Sequence, residues 1–186
     1  MLRRKLIQFM LSAVPAMSLL PLIGKAKEKY VPTNGGFKVE AGKDRFNQET
    51  LFGKENGMKC KVSGTDNNES WYVVEENDTK EAGPPLHFHT SQDELFFVTK
   101  GNYIIKVGED VFRLVPGDCA FAPRNIPHAF LAIGDDPHQM ILTYQPAGKM
   151  EKFFHNIKDP SYRAGKSLEQ CFEDNDMKIV GSRLTE

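Results

Sequence analysis

Short runs of alternating apolar and polar residues dominate the middle of the chain. From Leu86 to Gln145 these runs are separated by turn-forming residues, such as Gly101-Asn102, Pro116-Gly117-Asp118 and Gly134-Asp135-Asp136-Pro137. Strands repeated about every 8 to 12 residues are typical of an all-β sandwich or barrel. We find no helical period in this region and no internal repeat, so the pattern predicts one antiparallel barrel.

Alternation also extends upstream of this region. Phe37 to Glu40, Met58 to Ser63 and Trp71 to Glu75 have the pattern of three further strands, which places the predicted barrel domain at residues 37–146. Residues 27–36 are polar and are interpreted as a linker. The expected fold class is therefore all-β, a single jelly-roll barrel.

The last part of the chain changes character. Met150 to Ile157 and Ser167 to Asp174 have apolar residues at helical spacing. Phe153 and Phe154 lie on the first of these segments and are expected to pack against the barrel. Residues 147–186 are thus predicted to be a short helical tail that packs on the barrel.

The first 26 residues have the order of a signal peptide. Arg3-Arg4-Lys5 precedes an apolar run from Leu6 to Ile23, and small residues follow at Gly24 and Ala26. A membrane anchor that stays attached is the alternative, although the prolines in the run and its length disfavour a span. Cleavage is expected near Ala26, with export to the periplasm or cell exterior. The arginine pair also resembles a twin-arginine signal, and the general export route remains open as well.

Composition and charge exclude some function classes. Of 186 residues, 40% are hydrophobic and 26% charged, which is ordinary for a globular protein with a core. Residues 1–26 carry four basic and no acidic residues, so the remainder carries 20 basic and 25 acidic ones. This mildly acidic body has no electrostatic footprint for nucleic acid. A membrane partner is expected only through an uncleaved signal, and a homodimer is a further expectation.

The cysteines do not indicate a disulfide scaffold. There are three, Cys60, Cys119 and Cys171, which is too few and an odd number for such a framework in a chain of this size. Cys60 and Cys119 lie in apolar, strand-like sequence, so they are interpreted as buried small hydrophobic residues. One disulfide between two of the three remains open.

Three histidines and one glutamate carry the chemistry of the sequence. His87 and His89 alternate along a predicted strand and can face the same side, with Phe88 turned away. Glu94 can arrive on the next strand after a short turn, and His128 must come from a distant strand that folds back. Three imidazoles and a carboxylate are a ligand set for a divalent transition metal: Fe, Mn, Ni, Cu or Zn. Core histidines with satisfied hydrogen bonds are the alternative.

The sequence around these residues resembles the cupin superfamily. His87-Phe88-His89, Glu94 and Gly101 match the first cupin signature, and Gly117, Pro123-Arg124-Asn125 and His128 match the second. The match departs from the signatures at three positions: Gly83 lies two residues closer to His87 than usual, Asn125 replaces a glycine, and Ala132 replaces an asparagine. Asn tolerates positive φ better than most residues. The amino-acid sequence of this region most resembles that of the small single-domain cupins often labelled quercetin dioxygenase-like.

Strand alternation predicts the walls of a substrate pocket. Phe96 and Val98 share a face with Glu94, Phe130 shares one with His128, and Tyr103 and Phe121 come from neighbouring strands. Such a cavity would be apolar and aromatic, suited to a flat organic molecule. The alternative is that these side chains only fill the barrel, as small barrels require.

Two classes of function follow from this reading. The first is a metal-dependent dioxygenase acting on a phenolic or enolic small molecule, with Glu94 as a metal ligand that also serves as the catalytic base. The second is a non-redox cupin, either a metal-dependent isomerase or lyase or a small-molecule binding protein. Basic groups inside the pocket would favour acidic ligands, and Arg113 and Arg124 are the residues that could supply them.

Overall fold

The computed structural model describes residues 35–48, 57–78, 81–135, 137–157 and 159–186. The predicted signal at residues 1–26 and most of the predicted linker lie outside the described residues. Within the described part, no helix is long and apolar enough to cross a membrane. In chain order the elements are β1 (Gly57–Val62), a 3-10 helix (Gly64–Asp66), β2 (Tyr72–Asp78), β3 (Pro85–His89), β4 (Asp93–Lys100), β5 (Asn102–Val107), β6 (Asp110–Leu114), β7 (Cys119–Ala122), β8 (His128–Ile133), β9 (His138–Gln145), α1 (Met150–Asn156), α2 (Pro160–Arg163), α3 (Leu168–Glu173) and β10 (Met177–Arg183).

The strands form two five-stranded antiparallel sheets. The first has the order β1-β2-β9-β4-β7 and the second the order β10-β3-β8-β5-β6. The predicted all-β jelly roll is therefore confirmed. Alternate residues of β9 are buried and half-buried, as expected for a strand with one face on a core. The core between the sheets is aromatic and aliphatic, and includes the fully buried Tyr103, Ile105 and Val98.

Gly83 allows the chain to pass very close to β8. A Cβ at this position would collide with the carbonyl oxygen of Phe130, so only glycine fits. The neighbouring backbone also pairs with β8, because Glu81 N donates to Ala132 O at 2.9 Å and Ala132 N donates to Ala82 O at 3.0 Å. This glycine thus helps to place the strand that carries His128.

The upstream boundary of the barrel differs from the prediction. Residues 37–40 have no strand structure, and the first described strand is β1, which begins at Gly57. The alternation at Phe37 to Glu40 was therefore a wrong indication of a strand: Phe37 is 43% exposed and contacts the Arg45 guanidinium instead of a sheet. The two other upstream strand predictions correspond to β1 and β2.

The tail is helical only in its first part. Helices α1 and α3 cover most of the two segments predicted to be helical, and Ser167 begins α3 with a capping box that includes Gln170. Phe153 and Phe154 are buried in the core, as expected. After α3, however, the chain continues as β10, which pairs with β3 from Met177 opposite His89 onward. The barrel therefore includes a C-terminal strand that the sequence analysis assigned to the tail.

All three cysteines are free thiols. Cys60 and Cys171 are buried, as small hydrophobic residues would be, but Cys119 is exposed. The prediction that Cys119 is buried was wrong, because β7 turns its alanines inward and Cys119 and Phe121 outward.

Candidate metal centre

Three strands from the two sheets, β3 and β8 in one and β4 in the other, place the four predicted ligands inside the barrel. His87 and His89 are buried on β3, while Phe88 between them is half-buried on the other face. Glu94 is buried on β4, and β8 pairs with β3 so that His128 lies directly opposite His87. The alternation of β3 and the fold-back of β8 are those that the sequence predicted.

The side chains of these four residues converge. One donor atom from each of His87, His89, Glu94 and His128 lies within 4.8 Å of all the others. Glu94 Oε2 is 3.2 Å from His89 Nε2 and 3.0 Å from His128 Nε2. The His87 and His128 rings meet edge to face, with centroids 4.7 Å apart. The cluster is compact enough for a single ion to contact all four residues.

Backbone carbonyl groups orient two of the imidazoles. His87 Nδ1 lies 2.9 Å from Pro85 O, and His128 Nδ1 lies 2.9 Å from Ile126 O. A carbonyl can only accept a hydrogen bond, so Nδ1 carries the proton in both rings and Nε2 keeps its lone pair. This arrangement is typical of metal-binding histidines, whose second nitrogen is fixed by a hydrogen bond.

Asn125 supports the same corner of the site. Its backbone has φ 65°, the left-handed conformation expected where Asn replaces the glycine of the cupin signature. Its N–H donates to the carbonyl of His89 at 2.7 Å. This contact ties the loop before His128 to the strand that carries the first two histidines.

The cluster leaves polar atoms that a cation would satisfy. His89 Nε2 and His128 Nε2 are buried and have no hydrogen-bond partner among the described residues, although both lie near Glu94 Oε2. Leaving a buried polar atom unpaired costs about 1–3 kcal/mol. Imidazole nitrogens and a carboxylate oxygen are the donors that divalent transition metals accept. The residues present therefore fit a bound metal ion and form a cluster able to hold one.

The protonation states also suit ligation. Burial alone would raise the pKa of Glu94, but the adjacent His128 and His89 rings outweigh it and hold the pKa well below its usual range. Burial and the nearby His128 and His89 lower the pKa of His87 to about 3. At neutral pH the carboxylate is thus ionised and His87 is neutral, as metal ligands must be.

The cluster opens into a cavity of about 420 Å³. The walls are largely apolar and aromatic, and include Phe96, Phe130, Leu142, Tyr144, Met150, Phe153, Phe154 and Phe172. A cavity of this size can enclose most of a small organic molecule. Residues of both sheets, the segment before β3 and the C-terminal helices all contribute to its lining.

The predicted pocket residues divide into three groups. Phe96 and Phe130 line the cavity. Val98 and Tyr103 are completely buried in the core and are not among the residues that line it. Phe121 is 57% exposed on the outer face of its sheet, so the prediction that it lines this pocket was wrong. Arg113 and Arg124 are both exposed, and Arg124 pairs with Asp93 at 2.8 Å, so neither supplies a basic group to the cavity.

Several site residues were missed in the sequence. Tyr144 is buried next to the cluster, its ring 5.5 Å from that of His89, and its hydroxyl hydrogen-bonds the Glu94 carboxylate. Phe172, which lies in the C-terminal tail, contacts the His87 ring, with ring centroids 5.3 Å apart. Glu76 and Asp78 also line the cavity from β2. Alternation from Tyr72 along β2 indicates that the last two share its inner face, but not that this face borders a cavity.

Comparison with known proteins finds similarity to cupins. Residues 68–144 match the family described as Cupin domain. The RmlC-like cupin from Shewanella frigidimarina is 17% identical, with 65% of this chain and 99% of that one covered and a TM-score of 0.51. KdgF from Halomonas sp. is 20% identical, over 54% and 88% of the chains, with a TM-score of 0.47. A predicted oxalate decarboxylase from Thermotoga maritima is 13% identical, over 49% and 80%, with a TM-score of 0.47. No curated protein matches.

These findings support the resemblance that the sequence motifs indicated. The structural likeness at 17% identity shows the fold, and the family match covers the strands that carry all four clustered residues. Residues 68–144 are therefore similar to a cupin domain, and the barrel has the fold of solved cupin structures.

Proposed function

We propose that this protein is a metal-dependent cupin enzyme that oxidises a phenolic or enolic small molecule with O2. The observation that carries the proposal is the position of the ligand cluster. Three histidines and a glutamate form a buried cluster. Of these, His87, Glu94 and His128 line a cavity of about 420 Å³ that aromatic side chains surround. A substrate held there has its reactive oxygen next to the donor atoms and its carbon framework against the aromatic rings.

The four clustered residues would hold the metal. His87 and His128 present Nε2, since their Nδ1 atoms contact backbone carbonyls, and Glu94 presents its carboxylate. A redox-active divalent metal bound there would supply Lewis acidity and the capacity to activate O2.

Glu94 is proposed to act on the substrate as well. Its carboxylate is ionised at neutral pH, so it can accept the proton of a substrate hydroxyl. The Tyr144 hydroxyl, whose pKa burial raises well above its usual range, stays protonated and hydrogen-bonds the Glu94 carboxylate. Tyr144 therefore orients the carboxylate and remains a hydrogen-bond donor throughout.

The aromatic walls would position the substrate and exclude water. Phe96 and Phe130 lie with ring centroids 6.2 Å apart in an edge-to-face arrangement on the two facing sheets. Phe154 and Phe172 close the cavity from the tail. Offset and edge-to-face contacts of this kind are favourable for a flat ring.

A non-redox cupin is the second candidate. The observation in its favour is the pair of carboxyl groups, Glu76 and Asp78, in the same cavity. Polar groups at two sites would suit an isomerase or lyase, or a binding protein for a polar small molecule.

Oxygen consumption separates the two candidates. The protein is freed of metal, reconstituted with Fe, Mn, Ni, Cu or Zn, and assayed with a panel of flavonols, catechols and diketones. We expect O2 uptake with at least one redox-active metal, and none with His87→Ala or His89→Ala. Absence of uptake with every metal, together with tight binding of a sugar or amino acid, would favour the non-redox candidate.

We also propose that the protein is exported after cleavage near Ala26, by the signal-like order of residues 1–26. N-terminal sequencing of the natural protein should begin near Lys27. Changing both Arg3 and Arg4 to Lys would block export only by the twin-arginine route, because that route requires the arginine pair and not its charge alone.

A further inference from the structure

Two acidic side chains face the interior of the barrel from β2. Tyr72 and Val74 are completely buried on the inner face of this strand, and Glu76 and Asp78 continue the same row. Both line the cavity that contains the ligand cluster. Glu75, which lies between Val74 and Glu76, is turned to the outer face, where it pairs with Lys59 and Lys61.

The two acidic groups lie at a different end of the cavity from the cluster. In the first sheet, Glu76 is opposite Met140 of β9, whereas Glu94 is opposite Tyr144 of the same strand. Tyr144 follows Met140 by four residues along the strand, which is roughly 13 Å. Leu142 and Phe96 fill the row between them. The cavity therefore has a polar group at each end and apolar walls between.

Asp78 has fixed partners. The Tyr103 hydroxyl donates to Asp78 Oδ2 at 2.9 Å, and Tyr103 is completely buried. The Tyr103 ring is 5.5 Å from that of His138, whose Nε2 lies 2.8 Å from the carbonyl of Ile133. These contacts hold the Asp78 carboxyl group in place and use one of its oxygens.

Glu76, in contrast, has one carboxyl oxygen to which no described residue donates a hydrogen bond. Its Oε2 is buried and has no hydrogen-bond partner among the described residues. The two carboxyl groups hydrogen-bond each other, which requires a proton between them. Burial and the nearby Asp78 raise the pKa of Glu76 well above its usual range, so this pair of carboxyl groups holds a proton. The Oε2 atom is left as a hydrogen-bond acceptor on a residue that lines the cavity.

We propose that Glu76 Oε2 is a specificity site, which accepts a hydrogen bond from a second hydroxyl group of an elongated, two-ring phenolic ligand. The inference rests on the proposed function, because the first hydroxyl group of this ligand would lie at the ligand cluster. The apolar walls between the two ends fit the aromatic body of such a molecule. A ligand without the second hydroxyl leaves Oε2 unpaired, and sites built to bind a hydroxyl discriminate strongly against analogues that lack it.

The test compares two probes that differ in one hydroxyl group, para,para′-biphenol and para-phenylphenol. Calorimetric titration measures the affinity of each for the full chain, both zinc-loaded and metal-free. The wild type is expected to prefer the biphenol by about tenfold or more, beyond the twofold that its symmetry gives.

Three variants locate the source of this preference. Glu76→Met keeps the length of the side chain but cannot accept, and should reduce the preference to about the symmetry factor. Glu76→Gln keeps a carbonyl oxygen and has an N–H group that can donate to Asp78, so it should retain most of the preference. Glu75→Met removes the adjacent carboxylate that faces outward and is the matched control, with no expected change.

An infrared measurement on the wild type needs no variant. The C=O stretch of a protonated carboxyl group should shift when biphenol binds and stay unchanged with phenylphenol. Failure of biphenol to bind, an unchanged preference in Glu76→Met, or an unshifted C=O stretch would each overturn the proposal. Equal affinities with and without zinc, with the preference intact, would count against the proposed metal function and leave the role of Glu76 standing.

Discussion

Acid should destabilise the metal-free protein through His87. This side chain is buried, and its pKa of about 3 in the folded state lies below the 6.5 of an unperturbed histidine. Below pH 6.5, His87 is therefore protonated in the unfolded chain but stays neutral in the folded protein. The resulting loss of folding stability is absent above pH 6.5, increases as the pH falls, and stops increasing near pH 3.

The size of the effect follows from the two pKa values. One pH unit corresponds to about 1.4 kcal/mol, so acidification from pH 6.5 to pH 5 should remove about 2 kcal/mol of stability through His87 alone. For a protein of this length, that is a fall in Tm of roughly 4–8 °C. Glu94 adds little in this window, because the lowering of its pKa from 4.5 acts only as the pH approaches or falls below that value.

The buried carboxyl groups act in the opposite direction. The pKa of Asp78 is raised to about 6 by burial, and that of Glu76 is raised as well, so acidification stabilises the folded state through both. The measurement must therefore be a difference. Urea unfolding of metal-free wild type and His87→Asn is compared at pH 7.5 and pH 5.0. The stability of the wild type relative to the variant should fall by about 2 kcal/mol. A difference that is the same at both pH values would refute the reasoning.

Three further predictions concern stability and metal binding. Gly83→Ala should lower the free energy of unfolding in urea by about 1–3 kcal/mol, because the added Cβ collides with the Phe130 carbonyl. Gly36→Ala, where a Cβ meets nothing within 4 Å, should have little effect, and equal effects of the two changes would contradict the close approach. Because φ of Asn125 is 65°, Asn125→Gly should be tolerated and Asn125→Val should lower the free energy of unfolding by about 1–2 kcal/mol. Thermal unfolding measures both variants, and an Asn125→Val variant as stable as the wild type would rule out the assigned conformation. Zinc should raise the Tm of the wild type but not that of His89→Ala. Glu94→Gln should still bind some metal but lose turnover, and a fully active Glu94→Gln variant would exclude Glu94 as the catalytic base.

The parts of the fold that depend on local pattern were predictable. Alternation and turn residues between Leu86 and Gln145 indicated the strands β3 to β9, and the His87-Phe88-His89 spacing indicated two side chains on one face. Local signals are sufficient there because the strand period itself decides which side chains meet.

The errors come from long-range contacts. In β7 the inward residues are Ala120 and Ala122, and the bulky Phe121 faces solvent, so hydrophobicity alone gives the wrong face. The β10 sequence has no clear alternation, and only its pairing with β3 makes it a strand. Glu76 and Asp78 were missed for a related reason: an acidic strand end reads as surface, and only the second sheet opposite shows that its inner row borders a cavity.

The central claim is that His87, His89, Glu94 and His128 bind one metal ion. Anomalous X-ray diffraction, recorded at the absorption edge of the metal found in protein from its natural compartment, tests this most directly. We expect one anomalous peak at full occupancy, with the three histidine Nε2 atoms and a Glu94 oxygen at about 2.0–2.2 Å. A peak elsewhere on the protein, or no peak inside a barrel whose four side chains are ordered, would contradict it.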